Sequence, residues 1–529
     1  MSMWVRIALV VLSGELLAEA SIGWAYFALV APAPWFLALM TPGPAGEDGA
    51  REELTLPRAL LLSALPYAIG GAHMWGLLGF GQLMYWLVVA YLPVAGIAVT
   101  LLGWPFLRPG AAERLPTWVR IAGVSGAWVL GHATRTMTEY SFPTLVGACL
   151  VDAPPFNQLG SVGGALGLEA LIGLVSILLA EGADRWLRRA PEVKAPLLAA
   201  LATLALVGGA GALRVGLAAP MITPWEPGAQ APERPHRTVA IPQASTPNWL
   251  HRRAWTVKRL QEVIDVNTMS QVRDAMRQPM WGRPPDWVVM PESALGRELP
   301  AKPKAALAAI RETFAVSPWP AETTVFLVMT QLMERRDPAR PRADRKDTIF
   351  VLEAGPDGEV AVRDTTSKRQ LVPMGERRYH PGEPWRPLKT RHGLAGGVIC
   401  FESMYPKISA SLAAQGSDAL IVFTNDAGQR WSDAATWHAR LGRLRALETG
   451  RVMLHASQAG PSFILDPYGR SSARLGLFER GVIRAAVVTE PVWTLHQRVG
   501  PYGAAVAALG AWLLAVIGAW RARRGDAGD

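Results

Sequence analysis

Gly397-Val398-Ile399-Cys400-Phe401-Glu402-Ser403 is a short apolar run that ends on a thiol and a carboxylate. Runs of this length, rich in Val and Ile, read as buried strands. The same pattern recurs on both sides of it. Trp287–Met290, Val325–Thr330, Ile349–Glu353, Ala419–Thr424, Val452–Ser457, Ser462–Leu465 and Val482–Val488 are the other predicted strands. Helical periodicity lies between several of them, at 249–278, 301–315, 405–416 and 434–449. Strands alternating with helices predict a layered α/β domain in which helices cover buried sheets.

Upstream the character changes. Apolar stretches of membrane-spanning length follow one another up to about residue 219: two short spans within Trp4–Met40, broken near Gly23 and Pro32/Pro34, then 60–80, 82–106, 118–134, 159–181 and 196–219. With a last run at 502–520 this predicts eight spans. Glu15 and Glu19, with the next span close behind, favour a retained first helix over a cleaved signal peptide. Residues 220–236, rich in Pro, Glu and Arg, read as a linker. The expected organisation is a transmembrane helical domain over 1–219, the linker, an α/β domain over 237–497, and a C-terminal span with a basic tail over 498–529.

The formal net charge is +10. Many of the arginines stand in short loops beside apolar segments, where positive charge sets orientation. Arg108, Arg114 and Arg120 flank one such loop, Arg185, Arg188, Arg189 and Lys194 lie in another, and Arg521, Arg523 and Arg524 follow the last span. Counting spans from these cytoplasmic sides places 135–158 and the whole α/β domain outside the cytoplasm. No basic run interleaved with aromatics appears in the α/β part, which argues against a nucleic-acid partner. Two cysteines, Cys149 and Cys400, exclude a disulfide scaffold.

Three predicted strand ends carry reactive side chains: Glu292 after Val-Val-Met-Pro, Lys368 in Thr-Thr-Ser-Lys-Arg-Gln, and Cys400. Acyl transfer needs a thiolate, a base for the thiol proton and a cation or donor for the tetrahedral oxyanion, and these three residues supply those roles. Each also fits a structural role. A lone Cys after Val-Ile packs as a small hydrophobe, Glu292 suits a helix N-terminus, and Lys368 suits an exposed strand end. The chain has 8 Lys against 45 Arg, so a lysine at 368 runs against its composition. Arg does not readily replace a compact ammonium at an oxyanion.

Pro291-Glu292-Ser293, Lys368-x-x-Leu371-Val372-Pro373-x-Gly375-Glu376 and Ile399-Cys400-Phe401-Glu402 together resemble the Glu-Lys-Cys pattern of nitrilase-superfamily enzymes. More specifically, the chain resembles the bacterial apolipoprotein N-acyltransferase family. The resemblance extends through Thr424-Asn425-Asp426-Ala427, Trp437-His438, Arg445-Ala-Leu-Glu448-Thr-Gly-Arg451 and Asp466-Pro-Tyr-Gly469, and into the membrane part at Ser141-Phe-Pro and Phe156-Asn-Gln-Leu-Gly. It implies an αββα nitrilase-like sandwich on a multi-span helical domain in the bacterial inner membrane, with the catalytic domain periplasmic. The implied reaction moves an acyl chain from a phospholipid through a Cys400 thioester to an amine, in the family the N-terminal diacylglyceryl-cysteine of a lipoprotein. Glu292 would be the base and Lys368 the oxyanion partner, and no cofactor or metal is implied. Glu376 and Glu402 match two further family carboxylates, expected to orient the lysine and the site loop. Phe401, Asn425 and His438 are expected to position substrate, and Trp431 and Trp437 to line the pocket.

Three features depart from the family. Phe401 stands where Tyr is usual, Ala427-Gly428-Gln429-Arg430 replaces Ala-Trp-Phe-Gly, and 377–399 is short, without the apolar arm that meets lipid in the family. These departures bear on the donor and the acceptor. The alternatives that keep the chemistry are a paralogous acyltransferase of the TraB conjugal-transfer type with another acceptor, and a membrane-tethered carbon–nitrogen hydrolase.

Overall fold

A computed structural model describes the chain except residues 23, 45–52, 73–85, 87–88, 138–144, 247–257, 296–297, 315–318, 335–343, 356–357, 374, 430–432, 472 and 526–529. Ser141-Phe-Pro and Trp431 therefore lie outside the described residues. Contacts divide the chain into two units, Met1–Leu217 with Ser432–Arg440 and Arg498–Asp529, and Ala218–Trp431 with Leu441–Gln497.

The first unit is helical: α1 Met3–Ile22, α2 Pro32–Met40, α3 Leu56–Ala72, α4 Pro93–Leu107, α5 Thr117–Met137, α6 Gly160–Leu187 and α7 Lys194–Leu217, with a C-terminal helix over Gly503–Gly525. A helix thus stands at each of the eight expected spans. Among the described residues, four helical stretches are long and apolar enough to cross a membrane: Val89–Leu107, Phe156–Leu187, Lys194–Leu217 and Gly503–Arg524. The others are shorter or more charged. α1 carries Arg6, Glu15 and Glu19, and Arg6 turns inward to donate to the Ala38 and Thr41 carbonyls at the C-terminal end of α2. Those carbonyls have no partner within α2, so the arginine fixes the α1–α2 hairpin. Inside the bundle the buried Glu169 is paired on both oxygens, as an apolar setting favours. Trp128 Nε1 donates to Glu169 Oε2 at 2.8 Å, and the Gly147 N–H reaches Glu169 Oε1 at 2.8 Å.

Among the described residues, the second unit contains every strand. Seven form one sheet in the order β1-β13-β2-β3-β4-β5-β6, and six form another, β12-β11-β10-β9-β8-β7. Their ranges are β1 Ile222–Pro224, β2 Arg237–Gln243, β3 Trp287–Glu292, β4 Thr324–Leu332, β5 Arg345–Ala354, β6 Val360–Ser367, β7 Leu388–Thr390, β8 Gly393–Ile399, β9 Ala419–Thr424, β10 Val452–Ser457, β11 Ser462–Leu465, β12 Ala473–Leu475 and β13 Gly481–Val487. β1 falls within the stretch read as a linker and pairs antiparallel with β13, so that stretch begins as part of the sheet.

Side-chain alternation builds the layers. Trp287, Val289, Phe326, Val328, Ile349 and Val351 face Ile399, Ile421, Phe423, Leu454 and Ile464 of the other sheet in one core. Their neighbours Val288, Met290, Val325, Leu327 and Leu352 turn outward against Met269, Val272 and Ile310. Those three stand on the helices α8 Lys258–Arg277 and α9 Pro303–Phe314. Helices over Pro406–Ala414 and the second half of Asp433–Thr449 follow β8 and β9 in the βαβ manner expected of parallel neighbours. The result is the layered α/β architecture anticipated from the strand pattern, with two sheets packed face to face and helices outside, as the nitrilase-like resemblance implied.

Candidate active site

The intersheet core is apolar along its length and ends in a polar cap, and the strand registers show how each member gets there. On β3, Val289 pairs with Phe326 while Glu292 pairs with Val328, so one extra residue sits between them. This bulge contains Pro291, which has no N–H to offer a ladder. Without it Pro291 would face the core. With it, Glu292 lies opposite Val328 and points to the intersheet side. Thr330 is two residues beyond Val328 on β4, and its partner on β5 is Asp347. Beyond the Thr348–Ser367 pair, the Lys368 N–H donates to the Asp347 carbonyl at 2.8 Å, which brings Lys368 to the same edge.

Cys400 arrives from the other sheet. It follows β8 directly, at the start of a 3-10 turn over Cys400–Met404, with φ +50°. A left-handed conformation at a residue with a Cβ stores strain, on the order of 1–3 kcal/mol, and such strain gathers at functional sites. A strand-to-helix turn of this sort lifts a side chain clear of the sheet edge. Cys400 is partly exposed, whereas Lys368 is 1% and Glu292 8% exposed.

Lys368 Nζ lies 2.6 Å from Glu376 Oε1 and 3.8 Å from Glu292 Oε1. Burial would lower the lysine's pKa, but Glu376 and Glu292, with Cys400 and Asp347 nearby, outweigh it and hold the ammonium well above the usual lysine range. The lysine is a permanent cation here. Burial pushes Glu292 above the usual carboxylate range, against the pull of Lys368. The Asn425 N–H donates to Glu292 Oε2 at 2.9 Å and fixes its rotamer. Burial and the Glu292 carboxylate push the Cys400 thiol well above its ordinary range, with Lys368 opposing. The resting site therefore holds a protonated thiol, and a nucleophile forms when its proton moves to Glu292.

Two further carboxylates organise the surroundings. Glu376 Oε2 accepts the Val372 N–H at 2.8 Å, so it ties the loop after β6 to the lysine. Glu402 is 2% exposed and accepts four donors: Arg369 N at 2.9 Å, Gln370 N at 3.1 Å and Trp385 Nε1 at 2.8 Å on one oxygen, and Ile399 N at 2.9 Å on the other. It clamps the lysine loop, the 377–399 stretch and the cysteine turn together. Glu402→Gln turns an amide N–H₂ or a singly shared oxygen toward these donors. Leaving a buried donor unsatisfied costs about 1–3 kcal/mol, so amide exchange at Gln370 or Ile399 should quicken by about tenfold or more. Unchanged protection at both amides would remove the clamp.

The structure brings together Glu292, Lys368, Glu376, Cys400, Glu402 and the Asn425 backbone. Phe401 is buried with its ring 5.3 Å from Tyr405. His438 and Trp437 belong by their contacts to the helical unit, where Trp437 lines a cavity with Leu17, Tyr67, Leu92 and Arg135. Two members of the cap were missed from sequence, Asp347 and Trp385. Asp347 continues the alternation of Val351 and Ile349 back by two residues, and that was its only signal.

Comparison with known proteins bears on this geometry. The family model for carbon-nitrogen hydrolase matches residues 238–493. That segment is similar to carbon-nitrogen hydrolase domains. It contains every residue of the polar cap. An apolipoprotein N-acyltransferase of Gloeobacter violaceus is 27% identical over 460 residues, 79% of this chain and 78% of that protein. An enzyme of the same name from Pseudomonas syringae pv. tomato is 37% identical over 118 residues, 22% of this chain, and the match spans 23% of its length. Among solved structures, an amidase from Nesterenkonia sp. is 17% identical, covering 51% of this chain and 95% of its own, with a TM-score of 0.36.

Proposed function

We propose that this chain is a membrane-bound N-acyltransferase using Glu292, Lys368 and Cys400. Glu292 takes the proton from Cys400 Sγ, and the thiolate attacks an ester carbonyl of a phospholipid. Lys368 carries the charge that develops on the carbonyl oxygen. As the tetrahedral intermediate collapses, the C–O bond breaks and Glu292 returns the proton to the departing lysophospholipid alkoxide. The Cys400 thioester is then attacked by an amine, whose proton passes to Glu292 before returning to the thiolate as leaving group. The acceptor on this reading is the N-terminal diacylglyceryl-cysteine of a lipoprotein.

The observation that carries the reading is the buried cap itself, in which a permanent ammonium stands beside the carboxylate that faces a strained cysteine. The similarity to an acyltransferase along most of the chain, spans included, favours an acyl acceptor over water, because a tethered amidase needs only one span. The deciding experiment is complementation of a strain depleted of its own apolipoprotein N-acyltransferase. Growth on the wild-type gene supports the proposal, and failure to grow despite membrane expression sends the acceptor elsewhere.

The proposal also requires the domain to stand outside the cytoplasm, the orientation that the Arg-rich loops at 108–120, 185–194 and 521–524 favour. A phosphatase reporter fused after residue 300 should be active, and a cytoplasm-dependent reporter at the same point silent. The reverse pattern would separate the site from lipoprotein acceptors.

A further inference from the structure

We infer that Asp347 is a neutral carboxylic acid that donates a hydrogen bond to Glu292 and holds it as the proton acceptor for Cys400. The inference rests on the reading of Glu292 as base. It starts from register. Asp347 faces Thr330, and Glu292 faces Val328 on the same side of β4, so the two carboxyls are diagonal neighbours across one strand. They lie within hydrogen-bond reach of each other. Two carboxylate ions have acceptors only, so a contact between them needs a proton.

The donors say which oxygen carries it. Glu292 is served by the Asn425 N–H at 2.9 Å and faces Lys368 Nζ at 3.8 Å. Asp347 is 4% exposed, and its Oδ1 is buried with no donor against it. Charge agrees with this. The groups facing Asp347 are Glu292 on β3, Thr330 on β4, and Lys368, Glu376 and Tyr379 beyond β6. One ammonium among three carboxyls leaves a buried excess of two negative charges unless a proton is held, and burial with Glu292 beside it pushes Asp347 well above the usual carboxylate range.

A neutral Asp347 does two things for Glu292. Its O–H favours the ionised form of the glutamate, the form that accepts the thiol proton. It also keeps a second negative charge away from Cys400, where it would hold the thiol more tightly. Asp347 is thus a positioning residue, acting through Glu292.

An amide should replace the acid, and an isosteric hydrocarbon should not. In full-length protein in detergent, iodoacetamide alkylation at pH 7 reads the Cys400 thiol directly, with no acyl donor or acceptor. Asp347→Asn should keep the rate within about threefold of wild type, and Asp347→Leu should lose about tenfold or more, the span expected for a hydrogen bond to a charged group. Melting reads the proton itself. A carboxyl whose folded pKa is raised binds its proton more tightly in the folded state, so wild-type stability falls as pH rises from the unfolded pKa of about 4 toward the folded value. Asp347→Asn lacks that slope, so its melting temperature should gain on wild type steadily from pH 5 to pH 8. A constant difference across that range, or an Asn variant as slow or as poorly folded as the Leu variant, overturns the inference by showing that an ionised carboxylate is needed. If Asp347→Leu does not fold, the Asn comparison alone decides. Failure of acyl transfer from phospholipid, with these two readouts as expected, would count against the proposed substrates and leave the shared proton standing.

Discussion

Cys400→Ala is expected to abolish acyl transfer, and no adduct should appear on the variant by intact-mass spectrometry after incubation with phospholipid. Wild type should gain the mass of one acyl chain and lose it to hydroxylamine, which cleaves thioesters. Cys400→Ser keeps the shape but replaces the thiol with a hydroxyl, a far weaker nucleophile with a carboxylate base, so it should accumulate little or no adduct. The control is Cys149→Ser. Cys149 is 1% exposed in the helical unit, burial pushes its thiol up to about 12, and no adduct should depend on it. An adduct that survives Cys400→Ala would move the nucleophile elsewhere. An adduct never seen on wild type, together with turnover of short amides, would replace acyl transfer with amide hydrolysis.

How much of this was legible in the sequence depends on what each residue's role rests on. β8 and β9 were legible because both faces of a parallel strand are buried, which writes a continuous apolar run into the chain. Cys400 and Glu292 end such runs, so their placement at one edge could be read without coordinates. β2 does not read as a strand in the sequence: Arg237-Thr-Val-Ala-Ile-Pro242-Gln carries a proline near its end, which argues against a paired strand. β6 was missed because it is a sheet edge, with Val362 and Arg363 exposed and Asp364 tied to Arg386 in place of a second apolar face.

The cap itself was half hidden for a related reason. Glu376 and Glu402 could be named only through resemblance, because what makes them functional is contact across 8 residues in one case and about 33 in the other. Trp385 lies in the stretch set aside as lacking an apolar arm, and its indole N–H is one of the four donors that hold Glu402. The bulge at Pro291 was equally invisible, since the reversal it causes at Glu292 appears only when β3 is laid against β4. A polar residue at a strand end is easy to find in a sequence. Which way it points depends on register, and register is a property of two strands.

Lys368→Met is expected to lose more than the rate ascribed to one oxyanion donor, which is on the order of 10²–10³. Methionine matches the length and apolar stem of lysine but leaves Glu376 and Glu292 buried without their cation. Removing one partner of a buried ion pair costs about 3–5 kcal/mol, and the system escapes part of that cost by protonating a carboxylate. Lys368 is the strongest group opposing burial at Glu292, so without it the glutamate's pKa, already above the ordinary range, rises further. The sign follows directly. Acylation requires ionised Glu292, so in wild type the rate falls as pH drops through a value above that of an ordinary glutamate. In Lys368→Met that acid limb should move to still higher pH, and raising the pH should recover part of the lost rate, namely the share due to Glu292 protonation. The share due to oxyanion charge should not return at any pH. Lys368→Arg tests the same point sterically, because a planar guanidinium cannot occupy a site 1% exposed between two carboxylates as a compact ammonium does. The measurement is the single-turnover rate of thioester formation from pH 5 to pH 9. A Lys368→Met profile parallel to wild type and lower by a constant factor would confine the lysine to the oxyanion. A profile shifted to lower pH would contradict the electrostatic coupling between Lys368 and Glu292 on which the proposed site depends.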